Sequence, residues 1–372
     1  MLGAGIVFEG IDRAVEMLGP AGALALAGLL VGLLFGFMAQ RSRFCLRSAV
    51  IEFVTAQFGD KLAIWLLTFG VAFAGIQFLV VEGLLDVAGT RALAARGSLS
   101  GAMIGGLLFG CGMILARGCA SRLLVLSATG NLRALISGLI FVVVAQASYQ
   151  GLLEPLRLAL TDIWMIDGGP ARDLVLSLGG RESDKLPVAL GWLGIAAIFA
   201  ARGRVPLWGW IGGIGAGLSV VLAYFLTHQI GLAAMETGTA KGVTFSGPSA
   251  EVLMRVLMRA NKPVGFDTLL VPGVFLGSAV AALLAREWRL TVFDAKSGML
   301  RYVIGAALMG FGSMLAGGCA VGAGISGGAI FAITAWLALL GMWIGAGAMH
   351  WMLDEARAVV SAAVKSGRLA RS

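Results

Sequence analysis

Apolar runs of helix-spanning length recur along the whole chain, separated by short connectors that hold most of its charge. Crossing about 30 Å of hydrocarbon takes about 20 predominantly apolar residues in a helix. On that measure the pattern predicts spans over residues 21–38, 62–85, 99–116, 132–153, 186–201, 208–227, 264–285, 302–316 and 329–349. The fifth is short for the hydrocarbon, a mismatch that local thinning or flanking charge accommodates. The predicted class is therefore an all-α polytopic membrane protein of about nine transmembrane helices, with no room for a sizeable soluble domain.

Nine spans place the connectors 41–47, 117–133, 202–204, 286–301 and the C-terminal tail on one side, and all of these are basic. Basic connectors mark the cytoplasmic side. The opposite side then receives the N-terminal stretch with Glu9, Asp12 and Glu16 and the loop 162–185, where acids outnumber bases. This predicts an inner-membrane protein with a periplasmic N-terminus and a cytoplasmic C-terminus. The segment 229–262, with Gly238, Gly242, Gly247, Pro248 and an amphipathic stretch 252–258, reads either as an external lid or interfacial helix or as a plain surface loop.

An internal repeat links the two halves. IGGLLFGCGMILARGCA from Ile104 aligns without gaps on IGAALMGFGSMLAGGCA from Ile304, with 10 of 17 positions identical, Gly118/Gly318 and Cys119/Cys319 among them. GLLFGFM from Gly32 echoes the first copy. With four spans in each half and the fifth joining them, the second copy enters the membrane from the other side. Inverted repeats of this kind place binding sites near the midplane. The expected organisation is a first half over 1–160, an external loop and connecting helix over 161–206, a second half over 207–353 and a tail over 354–372.

Composition agrees and removes other classes. Residues are 59% apolar and 13% charged, with mean hydropathy +0.92, against about a quarter charged in soluble domains. The 56 glycines suit close helix packing in lipid. The net charge of +8 lies mostly in connectors and tail, so it reads as topogenic charge and not as a nucleic-acid surface. No basic n-region with a cleavage site precedes the first span, so no cleaved signal peptide is expected. No GxxxxGK[ST] loop is present, and His228 and His350 are too far apart to read as a ligand pair. Neither a cofactor nor an enzyme activity is implied.

The candidate chemistry is thiol chemistry. Cys45, Cys111, Cys119 and Cys319 lie in or beside apolar runs, which favours free thiols over a disulfide scaffold. A lone cysteine in such a helix is ordinarily a small hydrophobe, and Cys111, whose counterpart is Phe311, stays with that reading. Cys119 and Cys319 differ because they recur at equivalent inverted positions, each after a glycine and before a short stretch (126–131 and 321–328) that reads as poorly helical and re-entrant. Such backbone at membrane depth lines a wet cavity or is buried in protein. A thiol is a weak, polarisable donor, suited to touching a soft sulfur or an oxyanion oxygen without trapping it. Thiols at successive depths would form a relay, with the amides of Gly118 and Gly318 adding an anion nest. Arg43, Arg47, Arg117 and Arg122 read first as topogenic charge and second as an anion attractor. Gln146, Ser127 and Ser326 are polar groups in apolar surroundings. Glu52 and Asp267 are carboxylates at membrane depth with no partner evident in the sequence.

At RSRFCLRSA, ARGCASRLLVLSATGN and AGGCAVGAGISG the chain resembles the YeeE/YedE family of bacterial inner-membrane proteins, over about residues 21–349. The resemblance implies an hourglass-shaped inverted-repeat fold that takes up thiosulfate, with Cys45, Cys119 and Cys319 contacting the ion in turn. It further implies a soluble partner at the inner face, a TusA-like sulfur carrier, and some members are associated with selenium compounds. The chain departs from the pattern in its long 162–185 loop, the 229–262 insert and Cys111. Three other readings remain open: a soft-metal route drawing on four Cys and 15 Met, a membrane-embedded sulfur-transfer or thiol redox protein with Cys119 as persulfide carrier, and a non-transporting scaffold for a sulfur carrier.

Overall fold

In hydrocarbon a backbone N–H or C=O has no water to bond, so an apolar run of this length satisfies itself as a helix. The computed structural model describes residues 2–235, 240–258, 264–291 and 298–365. Among these, nine helices are long and apolar enough to cross a membrane. In chain order the elements are α1 (Leu2–Ser42), α2 (Leu46–Val54), α3 (Asp60–Val81), α4 (Leu99–Leu115), α5 (Ala120–Ala128), α6 (Leu132–Tyr149), α7 (Lys185–Arg202), α8 (Leu207–Ala233), α9 (Ser246–Met258), α10 (Phe266–Leu284), α11 (Met299–Leu315), the wider-turned α12 (Ala320–Gly327) and α13 (Ile333–Lys365). Among the described residues the strands are β1 (Gly97–Ser98), paired antiparallel with β2 (Met165–Ile166), beside isolated bridges Asn131–Thr291 and Asp173–Ala332. The protein is thus all-α and multi-pass. Gly238, Lys262, residues 292–297 of one connector and the tail beyond 365 lie outside the described residues.

The first span continues N-terminally past its predicted start. A helical extension precedes it, broken at Gly19, whose φ of 71° lies in the left-handed region, just before Pro20. Proline supplies no N–H to the preceding turn, so the acidic N-terminal stretch departs from the line of the span.

Missing side chains set the helix crossings. α4 and α11, the two copies of the repeat, cross antiparallel. A Cβ on Gly105 would stand 2.4 Å from the Ala316 nitrogen and 2.6 Å from the Gly312 oxygen; one on Gly305 would stand 2.5 Å from the Ala116 nitrogen and 2.8 Å from the Gly112 oxygen. Adding 200 to the first number of a contact and subtracting 200 from the second gives its mirror, so the pair is related by a local two-fold. A like relation, with an offset of 201 for the partner residue, joins Gly110 on α4, against the Met342 oxygen of α13, to Gly310 on α11, against the Phe141 oxygen of α6. α1 runs parallel to α10, with Gly28, Gly32 and Gly36 meeting the carbonyls of Phe266, Leu270 and Val274. Only glycine permits this backbone approach.

The connectors gather at two ends. At the basic end Arg43 pairs with Glu287, Leu132 N–H donates to Thr291 O, and Arg41 lies over the Trp208 ring. At the other end Ser98 Oγ donates to Thr161 O, Arg172 to Ala95 O, and Gln229 to Leu84 O. The buried Asp173–Lys185 pair and the Leu174 N–H to Phe331 O bond fasten the 162–185 loop onto the turn after α12.

Two readings are corrected. Of the stretch 126–131, expected to be poorly helical, residues 129–131 are non-helical, but 126–128 complete a regular helix from Ala120, because the apolar residues after Ala120 fill consecutive helical turns against α6 and α10. In the 229–262 insert, α9 is neither lid nor surface loop. Phe245 and Ala250 are buried, α9 packs on α6 and α10, and it starts 200 residues after α2. It is the second half's counterpart of α2.

Candidate functional site

Three of the four cysteines follow one local construction. α1, α4 and α11 end in a left-handed residue, Arg43 (φ 55°), Arg117 (φ 59°) and Gly317 (φ 77°). Two residues further on comes the cysteine, in extended conformation, at the N-cap of a new short helix: Cys45 before α2, Cys119 before α5, Cys319 before α12. Helix ends of this type close by bonding the residue after the left-handed one back to the last turn, as Phe44 N–H does to Ala39 O and Gly118 N–H to Met113 O. The thiols therefore sit where one helix stops and another begins, against first-turn amides that lack intrahelical acceptors and at the positive end of the short helix.

The Gly118 amide is thereby occupied inside its turn and is not free for the anion nest expected of it. Gly318 supplies close approach instead: a Cβ there would stand 2.7 Å from the Ala323 nitrogen. In the second half Phe245 takes the position equivalent to Cys45 and packs on Phe35, ring centroids 5.3 Å apart.

All three thiols are enclosed, with Cys45 6%, Cys119 0% and Cys319 1% exposed, so this is a closed state. Cys45 and Cys119 are close enough for their thiols to act on one another, and Cys119 Sγ lies 3.4 Å from Ser121 Oγ. Cys319 stands apart, at the far end of the antiparallel helix α11. α5 and α12 approach each other between these positions. Cys111 is elsewhere, its thiol donating to Gly345 O at 3.3 Å, as a packing cysteine would.

The surroundings of the thiols are unequal. Arg122, on the first turn of α5, acts on both Cys45 and Cys119, and Arg47 on Cys45. Arg122 Nη1 donates to Gln40 Oε1 (3.4 Å), Gln40 Nε2 donates to Glu287 Oε2 (3.1 Å), and the other Glu287 oxygen accepts from Arg43 (3.3 Å). Beside Cys319 the corresponding position is Gly322, where a Cβ would strike Thr244 Oγ1. Arg117 and Arg133 instead flank the Tyr302 ring.

Several polar candidates serve the scaffold. Glu52 accepts from Leu62 N–H (2.8 Å) and Lys61 N–H (3.3 Å), capping α3. Asp267 pairs with Lys241. Ser127 bonds back to Leu124 O, Ser326 Oγ donates to Val243 O, and Gln146 is half-buried on α6. His228 accepts from Asp86 N–H and His350 pairs with Asp354. Among the described residues no group of His, Cys, Asp and Glu could hold a metal ion. An apolar cavity of about 310 Å³ walled by Trp65, Trp192, Trp336 and Trp343 is lined by none of the cysteines. Sequence reading passed over Gln40 and Gln77. Gln77 Nε2 donates to Ala329 O beside α12; a glutamine inside an apolar run was the available signal for both.

The family model described as Sulphur transport matches residues 41–172 and 183–348, both halves and all three turn cysteines. The chain belongs to the YeeE/YedE sulphur transport family. Within what is similar to this YeeE/YedE chain is the thiosulfate transporter TsuA of Escherichia coli (strain K12), 28% identical over 353 residues, covering 89% of this chain and 95% of the relative. Another is the thiosulfate transporter TsuA of Spirochaeta thermophila, 30% identical over 347 residues, covering 88% and 98%.

Proposed function

We propose that this protein takes up thiosulfate across the inner membrane, the anion touching Cys319 and the Cys45–Cys119 pair in succession without covalent chemistry. The observation that carries this reading is the recurrence of one helix-ending turn that delivers a buried thiol at three places, in a chain similar along most of its length to two thiosulfate transporters. Weak, repeated contacts let an ion move on where a single strong site would hold it. Residues 1–160 and 207–353 act as the two inverted halves, joined by 161–206, with 354–372 as the tail. The basic end faces the cytoplasm, and the N-terminus the periplasm. That end is where a TusA-like sulfur carrier would collect the product.

The nearness of Cys45 and Cys119 favours one second reading, a thiol redox or sulfur-transfer role, which requires a disulfide between them or a persulfide on one of them. Growth on thiosulfate of cells lacking other sulfate and thiosulfate uptake routes separates the two. Wild type restores growth, Cys119→Ala loses it at equal membrane level, and Cys111→Ala retains it. Rescue by Cys45→Ala, Cys119→Ala and Cys319→Ala alike would return the thiols to packing, and a persulfide found by mass spectrometry on purified protein would favour the second reading.

A further inference from the structure

We propose that Arg122 is the residue that holds the anion's negative charge at the inner thiol pair, and that Gln40 and Glu287 are its positioning residues. This rests on the thiosulfate reading above and names the part of that site which is not a cysteine.

The geometry points this way on three counts. Arg122 lies three residues past Cys119, on the first turn of the helix that Cys119 caps, so its guanidinium shares a site with two thiols and the positive end of α5. It donates to a neutral amide, Gln40 Oε1, and among the described residues no carboxylate pairs with it directly; Glu287 stands one side chain further away, held by Gln40 and Arg43. The charge is thus oriented without being cancelled. Gln40 is itself only 5% exposed and, through the two bonds of its amide, fixes the reach of Arg122 from α1 while tying it to the connector after α10.

The chemistry is selective for an oxyanion. A guanidinium presents a planar fork that matches two oxygens of one group, whereas an ammonium is a point charge. Thiosulfate offers oxygens to such a fork and a soft terminal sulfur to the thiols on the same side. Cys319 has Gly322 in place of this arginine, so the outer thiol would meet the ion in neutral surroundings and the inner pair would discriminate by charge.

The test uses the full chain in proteoliposomes with labelled thiosulfate. Arg122→Gln should raise KM roughly 10-fold with a smaller fall in maximal rate, and Arg122→Lys should recover only part of this. Glu287→Gln should raise KM by about 3-fold, and the double variant should match Arg122→Gln alone, as expected for a residue acting through another. A readout independent of the transported ion is labelling of Cys119, followed by peptide mass spectrometry, with an anionic and a neutral methanethiosulfonate. The anionic preference should fall about 10-fold in Arg122→Gln and return in Arg122→Lys. Unchanged KM and unchanged preference in Arg122→Gln, no labelling of Cys119 by either reagent, or additive effects of the two substitutions would overturn the proposal. Absent thiosulfate uptake by wild type, together with a labelling preference lost in Arg122→Gln, would sink the thiosulfate reading and leave Arg122 standing.

Discussion

A carboxylate at membrane depth draws a functional reading by default, yet Glu52 has a structural occupation. Its two oxygens cap the first turn of α3, satisfying N–H groups that no helical acceptor reaches. Glu52→Ala should therefore lower stability by about 1 kcal/mol, the usual magnitude of an N-terminal cap, seen as a lower melting temperature in detergent with thiosulfate uptake retained. Loss of uptake at normal stability would put Glu52 on the pathway after all. The sequence could single out Cys119 and Cys319 as candidates, because Gly-Cys-Ala recurs at one register. It could not name Arg122 over Arg117, because both stand in the same basic connector; only the fold directs one toward two thiols and the other toward the Tyr302 ring. Nor could it show that Gly118 N–H is engaged by Met113 O, since that depends on Arg117 adopting a left-handed φ that arginine seldom takes.

Helices were legible wherever length and apolarity agreed, including α7, whose predicted 186–201 is observed as Lys185–Arg202. What misled was α9. Its mixed composition reads as surface in a soluble protein, whereas in a membrane protein a short, partly polar helix can be buried against its neighbours, as Ala250 is. The α4–α11 crossing supplies a prediction at this scale. Since Gly105 and Gly305 meet equivalent backbone atoms, Gly105→Val and Gly305→Val should destabilise to the same degree, each by about 1–3 kcal/mol through overpacking, in thermal unfolding of the purified protein. A large difference between them would deny the local two-fold.

At the level of the whole molecule, the side on which the basic end lies decides which thiols an entering anion would meet first. A reporter fused after Ser372 should be active only in the cytoplasm, and a cysteine placed at Asp167, in the loop beyond β2, should react with an impermeant thiol reagent added outside. The reverse result would turn the molecule over and make the Cys45–Cys119 pair the first contact. Class and span number follow from periodicity and charge, properties that each stretch of chain carries by itself. The gathering of Arg43, Gln40, Glu287 and Arg122 does not, because it joins residues up to 247 positions apart.

The near-identity of the α4–α11 contacts has one more consequence. An object built from two copies related by a half-turn in the membrane plane looks the same from either bank, and so has no upstream or downstream of its own. Whatever one-way character this protein possesses must be carried by positions at which the copies disagree, Cys45 set against Phe245 and Arg122 against Gly322 among them. Exchanging residues across those pairs would be the direct way to ask whether the current can be made to run equally well in both directions.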